Sequence, residues 1–366
     1  MKIIEIIPTL GAGGADRLVA DLSNSLYDQG NDIHLILLMK MIPRNCFYIK
    51  DINPNIHIYS LNKGIGFSFH ALLKLIKLII KIKPDVVHAH LNSIFYIFLP
   101  AVFNCMGIKY VYTVHNDANK DASNKLFAFI MKLLFTHNKV LPITISYQSE
   151  YSFKQFYGFP SYKTIFNGRN VKEVDVPTDI KNNINKYRWS SKTVVLLYLA
   201  RFTEQKRPYL HAKICNDLYN EGFDLVLLMF GENSSNEDVV NQIRKLDSKC
   251  VHIMGVTSDV LQYMKECDAL LLLSSYEGLP IVLIESLAVG CIPICTPVGG
   301  VNDMIQSGYN GYLALDCSES ECYNILRHFL LTSADERNIV KTNAIKSYEL
   351  YTMERCSKQY IDVFRI

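Results

Sequence analysis

The 366-residue sequence has no C-x-x-C spacing among its ten cysteines, which removes the commonest dithiol and zinc frameworks. Cys215, Cys267, Cys291 and Cys295 instead fall inside apolar segments, as reduced, buried thiols of a cytosolic protein do. No run of about eighteen uncharged apolar residues occurs, so no membrane-spanning helix is expected. The opening MKIIEIIPTLGAGG has too short an apolar part for a signal peptide and carries Glu5 within it; it reads as a first strand followed by a glycine-rich loop. That loop lacks the dinucleotide fingerprint. Asp16 stands where a glycine is required, and Lys40 follows the second strand pattern, IHLILLM, where an acid is required. A nicotinamide-dependent enzyme fails at both positions.

Hydrophobic residues at 49% and charged residues at 20% describe an ordinary globular chain, long enough for two domains with separate cores. The formal charge of +3 conceals a split. Residues 1–169 hold 18 Lys and Arg against 10 Asp and Glu, and residues 170–366 hold 20 against 25. The basic first half calls for an anionic neighbour.

Residues 268–303, DALLLLSSYEGLPIVLIESLAVGCIPICTPVGGVND, read as strand, polar turn, helix and strand. Pro280 suits a first helical position and Gly290 a helix end. This is the parallel crossover unit of an open α/β sheet, whose ligands bind beyond the carboxyl ends of the strands. Glu277 lies in the loop past the strand. Glu285 lies about two helical turns farther on, so both can border one crevice. An isolated pair of this kind is ordinarily a solvated loop acid and a surface position, but Glu285 sits in IVLIESLAVG, where an unpaired charge is costly and a partner or ligand hydroxyls are expected.

Glu277-Gly278-Leu279-Pro280 through Glu285, with Ala288, Gly290, Pro293 and the turn from Pro297 to Gly300, resembles the nucleotide-sugar signature of retaining glycosyltransferase family 4. That resemblance implies the GT-B fold, two doubly wound Rossmann-like α/β domains facing across a cleft. It divides the chain into an acceptor domain at 1–170, a linker at 171–191, a nucleotide-sugar domain at 192–349, and a last helix at 350–366 that crosses back. Gly13-Gly14-Ala15-Asp16-Arg17 is similar to the family's glycine-rich loop, with Asp16 replacing the usual glutamate. His115, ending the strand pattern 109–114, resembles the histidine that lies against the donor sugar in relatives. Asn167-Gly168 resembles the turn before the interdomain connection.

The resemblance assigns catalytic roles to His115, Glu277, Arg201 and Lys206. Arg201 and Lys206, in RFTEQKR after the strand pattern 193–200, are surface cations on the plainest reading; at a strand's carboxyl end they can stabilise a departing diphosphate. Donor contacts are expected from Gly14, Met254, Val256, Gly278, Leu279 and Glu285 together with Arg201, Lys206 and Glu277. The acceptor side takes Gly13, Asp16, His88 and His90, the two histidines lining the cleft or serving as hydrogen-bonded scaffolding. His88-x-His90 begins a possible metal site, but no third ligand is visible near it in sequence. No Asp-x-Asp triplet occurs, so cationic side chains are expected in place of a metal, and no cofactor is expected.

The segment 67–83, FSFHALLKLIKLIIKIK, carries His70, Lys74, Lys77 and Lys81 as one basic stripe in otherwise apolar surroundings, and 125–139 repeats the idea with Lys125, Lys132 and Lys139. Both are either core helices with a lysine edge or helices resting on an anionic bilayer through Lys74, Lys77, Lys81 and Lys132. The expected partners are a UDP-sugar, UDP being the family's commonest carrier, and a polyprenyl-diphosphate-linked saccharide at the inner face of the cytoplasmic membrane, as in bacterial O-antigen or capsule assembly. Nucleic acid is not among them. A soluble acceptor, a nucleotide-sugar 2-epimerase and a non-catalytic membrane-binding relative remain as alternatives.

Overall fold

The computed structural model describes residues 1–121, 125–231 and 237–365. They form two compact units, the first made of Met1–Asn170 with Tyr351–Ile366 and the second of Val171–Leu350.

The first unit holds a seven-stranded sheet in the order β3-β2-β1-β4-β5-β6-β7, where β1 is Lys2–Ile7, β2 Asp32–Met39, β3 His57–Lys63, β4 Val86–His90, β5 Lys109–Val114, β6 Leu141–Thr144 and β7 Lys163–Thr164. All neighbours are parallel. Side chains alternate between the faces. Ile4, Ile6, Val87, Ala89, Tyr110, Tyr112 and Val114 enter a core completed by helices Phe69–Ile82, Ile94–Val102, Lys125–Thr136 and Tyr147–Tyr157. The opposite face carries an unusual polar row, Glu5, His88, His90 and Thr113, under the C-terminal helix Met353–Arg365. That helix is fastened through Arg169, whose N–H donates to the Tyr351 carbonyl at 2.9 Å while its own carbonyl accepts from Met353 N–H at 3.1 Å. Gly168 passes so close that a Cβ there would stand 2.6 Å from the Cys356 Cβ.

The second unit has a six-stranded sheet in the order β10-β9-β8-β11-β12-β13, with β8 Val194–Leu199, β9 Leu225–Phe230, β10 Val251–Gly255, β11 Ala269–Leu272, β12 Ile292–Cys295 and β13 Tyr312–Leu313, again parallel throughout. Leu196, Tyr198, Leu227 and Met229 pack to one side, Val195, Leu197, Val226 and Leu228 to the other. A sheet buried on both faces explains the continuous apolar runs in the sequence.

Three local readings change. Pro280 is the N-cap rather than the first helical residue, and the helix runs Ile281–Val289 before Gly290 ends it at φ 75°. Residues 201–207 do not begin the helix after β8. They form a 3-10 turn at Glu204–Lys206, and Arg207 takes a left-handed φ of 48° before Pro208 opens helix Pro208–Asn220, because a proline is accommodated at a first helical turn and not inside one. Residues 171–191, expected as a linker, include helix Thr178–Asn185, whose Ile180 and Ile184 are buried in the second unit's core. Glu232 and Asn233, noted after β9, lie outside the described residues.

Candidate active site

In the second unit, β8 and β11 are adjacent and parallel, so the loops leaving their carboxyl ends lie side by side. The β8 loop delivers Arg201 and Lys206, and the β11 loop delivers Glu277. Lys206 Nζ lies 2.5 Å from Glu277 Oε1, and both side chains are largely withdrawn from water. The loops are tied by backbone as well: Ser275 N–H donates to the Gln205 carbonyl at 2.9 Å and Gln205 Nε2 to the Tyr276 carbonyl at 2.8 Å. The Arg201 side chain is exposed, while its carbonyl accepts from the Tyr198 hydroxyl at 2.9 Å. Burial and the nearby Glu277 carboxylate push the Tyr198 hydroxyl's pKa well up, so it stays a donor.

Two residues that sequence reasoning missed hold this arrangement. His211 is fully buried; its Nε2 accepts from Leu273 N–H at 3.0 Å, so its Nδ1 carries the proton donated to the Arg207 carbonyl at 2.9 Å. Burial lowers its pKa to about 4, and the neutral ring thereby spans the end of β11 and the turn after Lys206. Gly299 is the second. At φ 51° it presses against the Glu277 carbonyl, from which an added Cβ would be 1.9 Å away, and Gly300 N–H donates to the Gly278 carbonyl at 2.7 Å. The Pro297 to Gly300 turn is thus a backstop for the loop bearing Glu277.

Glu285 is 8% exposed on the helix that follows, and Leu279 is buried just before it. Met254 packs into the apolar cluster around Leu197 and Leu228, whereas Val256 is exposed. Both belong to the end of β10, the sheet's edge strand, three strands away from β11; at about 4.8 Å per strand they stand well apart from the ion pair.

In the first unit the glycine loop is closed on itself. Asp16 Oδ1 accepts from the Thr9 hydroxyl at 2.8 Å and from Gly11 N–H at 2.9 Å, and a Cβ on Gly13 would come 2.5 Å from the Asp16 carboxylate. Asp16, expected on the acceptor side, therefore braces the loop that precedes helix Gly14–Asp28, with Gly13 as its N-cap. Desolvation raises its pKa.

His88, His90 and His115 come together around Glu5. His88 Nδ1 lies 3.0 Å and His90 Nε2 2.9 Å from Glu5 Oε2. His90 Nδ1 is 3.0 Å from His115 Nε2, His88 Nε2 is 2.8 Å from Thr113 Oγ1, and Thr113 Oγ1 is 2.9 Å from the Tyr360 hydroxyl. Glu5, His88 and His90 are fully buried, and 7% of His115 is exposed. Burial lowers all three imidazoles to about 3 and raises Glu5. The third acid or imidazole that the sequence did not reveal beside His88 and His90 is Glu5. Its visible signal is a charge in the strand KIIEII. Donor atoms of Glu5, His88 and His90 lie within 4.8 Å of one another, close enough to converge on a metal; each is already engaged with a neighbour inside the cluster, so a metal would have to displace those hydrogen bonds.

Residues 12–173 match the family model Glycosyltransferase Family 4, and residues 179–347 match Glycosyl transferases group 1. The chain belongs to the family 4, group 1 glycosyltransferases. The two matches meet near the junction of the two units. Among relatives of this glycosyltransferase, the N-acetyl-alpha-D-glucosaminyl L-malate synthase of Bacillus anthracis is 22% identical over 96% of this chain and 93% of its own. A Campylobacter jejuni alpha-1,4-N-acetyl-D-galactosaminyltransferase, named for a GalNAc-containing acceptor on diNAcBac-PP-undecaprenol, is 23% identical over 86% of this chain and 84% of its own. Among solved structures, Anabaena HepE in complex with UDP and glucose superposes with a TM-score of 0.82 at 17% identity, covering 100% of this chain and 99% of that one. The fold of this glycosyltransferase is GT-B.

Proposed function

We propose that this glycosyltransferase moves a sugar from a UDP-sugar to a saccharide carried on a polyprenyl diphosphate, with retention of anomeric configuration and without a metal, in bacterial surface-polysaccharide assembly such as O-antigen or capsule. The observation that carries the reading is the Lys206–Glu277 pair with Arg201 beside it, at the carboxyl ends of two adjacent parallel strands. Leaving-group departure places negative charge on the nucleoside diphosphate. Lys206 and Arg201 stabilise that charge, and a fixed donor of this kind is worth roughly 10²- to 10³-fold in rate. Glu277 positions Lys206 and accepts from donor-sugar hydroxyls; Glu285 holds the ribose hydroxyls; Gly278 and Leu279 offer backbone N–H groups, and Met254 and Val256 flank the base. In the first unit His115 meets substrate. The described side chains include no group we assign as a covalent nucleophile, so departure and attack occur on one face of the sugar.

The lipid-linked acceptor draws support from the Campylobacter relative and from the first unit's surface. Helix Phe69–Ile82 exposes Phe69, Leu73 and Ile80 beside Lys77 and Lys81, and helix Lys125–Thr136 exposes Leu126, Phe129 and Leu133 beside Lys132. Lys74, on the first of these helices, is half-buried. A helix that needs only one apolar face for its core has another to spare, and each Lys near an anionic surface adds about 1 kcal/mol. No described helix is long and apolar enough to cross a membrane, so we assign contact with the cytoplasmic leaflet. The Bacillus relative's name specifies L-malate, which keeps a soluble acceptor as the second reading.

A panel of UDP-, GDP- and ADP-sugars tested by thermal shift, followed by product analysis with lipid-linked and soluble acceptors, decides among these. Stabilisation by a UDP-sugar and retained configuration in the product are expected. Release of UDP with an epimerised free sugar and no acceptor product points to a 2-epimerase instead.

A further inference from the structure

The polar row beneath the C-terminal helix has more order than a set of buried polar residues requires. Suppose Glu5 is a carboxylate. It can only accept, so His88 Nδ1 and His90 Nε2 must both carry protons. His88 Nε2 then accepts from the Thr113 hydroxyl, whose oxygen accepts in turn from Tyr360. His90 Nδ1, left bare, accepts from His115 Nε2–H. Every donor finds an acceptor, and the single unengaged nitrogen in the chain is His115 Nδ1.

The same geometry satisfies a second pattern. A proton arriving at His115 Nδ1 lets Nε2–H pass to His90 Nδ1, and His90 Nε2–H pass to Glu5 Oε2. Both imidazoles finish neutral in the opposite tautomer, Glu5 finishes as the carboxylic acid, and one proton has moved from the ligand end of β5 to the middle of β1. No heavy atom needs to shift, because each hop follows a contact of 2.9 to 3.0 Å.

We propose that Glu5 is the buried terminus of a proton relay, Glu5–His90–His115, which takes the proton of the acceptor hydroxyl as that oxygen bonds to the sugar and returns it when product leaves. The proposal rests on the reading of this chain as a glycosyltransferase whose His115 meets substrate. His115 is the residue at the substrate; His90 and Glu5 act through it. A buried acid is suited to this, since its charged form is costly there and gaining a proton relieves that cost. His88, Thr113 and Tyr360 hold the other side of the carboxylate and keep it aimed at His90.

The decisive variant is Glu5→Gln, of the same shape. Its amide oxygen still accepts from His90, and its NH2 can donate to His88 Nδ1 once that ring changes tautomer, so the cluster stays bonded but its end can no longer take a proton. In the full-length enzyme, Glu5→Gln is expected to lower kcat about 10²-fold, to leave the KM for the UDP-sugar within threefold, and to abolish the solvent isotope effect on kcat. In a His115→Gln background it should cost nothing further, because both act in one step. Wild-type turnover in Glu5→Gln, or losses that multiply in the double variant, would overturn the relay. Should Glu5→Gln fail to fold, His90→Gln is put through the same cycle with the same expectations. Histidine 15N spectra test the relay without substrate, and so separate its failure from failure of the transferase reading: at pH 7.5 His90 and His115 are expected as neutral rings, each with one bare nitrogen. An imidazolium at either position, or a stoichiometric metal ion in the purified protein, overturns it.

Discussion

Lys206 Nζ and Glu277 Oε1 stand 2.5 Å apart although their residues are 71 positions apart in sequence, brought together by the pairing of β8 with β11. Neither charge has much water around it, so each depends on the other until a ligand arrives. Lys206→Ala strands the Glu277 carboxylate, at a cost of about 1 to 3 kcal/mol in stability. It also removes a cation from the departing diphosphate, so kcat should fall about 10²- to 10³-fold. Steady-state kinetics beside chemical denaturation separate the two losses. Wild-type kcat in Lys206→Ala contradicts the assigned role.

Gly299 tests the backstop. Its φ of 51° and the approach of the Glu277 carbonyl leave no room for a side chain. Gly299→Ala is expected to destabilise the second unit by about 1 to 3 kcal/mol and to lower kcat by displacing the Glu277 loop. Gly308→Ala, also at positive φ but with open space around it, should leave kcat unchanged. Equal kinetic effects in the two variants would remove the backstop role.

The first unit should lose stability in mild acid. His88, His90 and His115 titrate near 3 when folded and near 6.5 when unfolded, so between those values the unfolded chain binds more protons and stability falls as pH drops. Each such histidine contributes up to about 1.4 kcal/mol per pH unit. Glu5, raised on folding, works in the opposite direction above its usual range, and three imidazoles outweigh one acid. Hydrogen exchange in peptides covering β4 and β5 is expected to quicken from pH 7 to pH 5 well beyond the intrinsic change in chemical rate. Protection that holds constant over that range contradicts burial of neutral rings.

Membrane contact is read out by sedimentation. The protein should pellet with anionic vesicles and not with neutral ones, and Lys77→Glu combined with Lys81→Glu should abolish pelleting while leaving transfer to a short water-soluble acceptor analogue intact. Pelleting that does not depend on these lysines removes them from the interface.

Much of this fold was legible because both sheets are parallel and buried on both faces. Such strands announce themselves as apolar runs, and the glycine and proline positions after β11 mark the turns. The Glu277 loop was legible for the same reason: a polar turn between a buried strand and a capped helix has few other uses. What could not be read was pairing across the chain. Nothing in sequence joins Lys206 to Glu277, or Glu5 to His88 and His90, since each contact follows from strand order. Asp16 was misleading because a carboxylate at a helix start can face a ligand or fold back on its own loop, and the Thr9 hydroxyl with Gly11 N–H decided for the loop. The start of helix Pro208–Asn220 was misplaced because Arg207 adopts a left-handed conformation that arginine seldom takes.

The central claim is that the second unit holds a nucleoside-diphosphate sugar by a lysine, an arginine and a glutamate at neighbouring strand ends. Calorimetric titration of UDP and of the stabilising UDP-sugar into wild type, Arg201→Ala and Lys206→Ala, with a chelator present throughout, tests it most directly. The account predicts saturable binding to wild type with the chelator present, weakened at least tenfold in each variant. Binding that requires a divalent cation, or is indifferent to both substitutions, would contradict it.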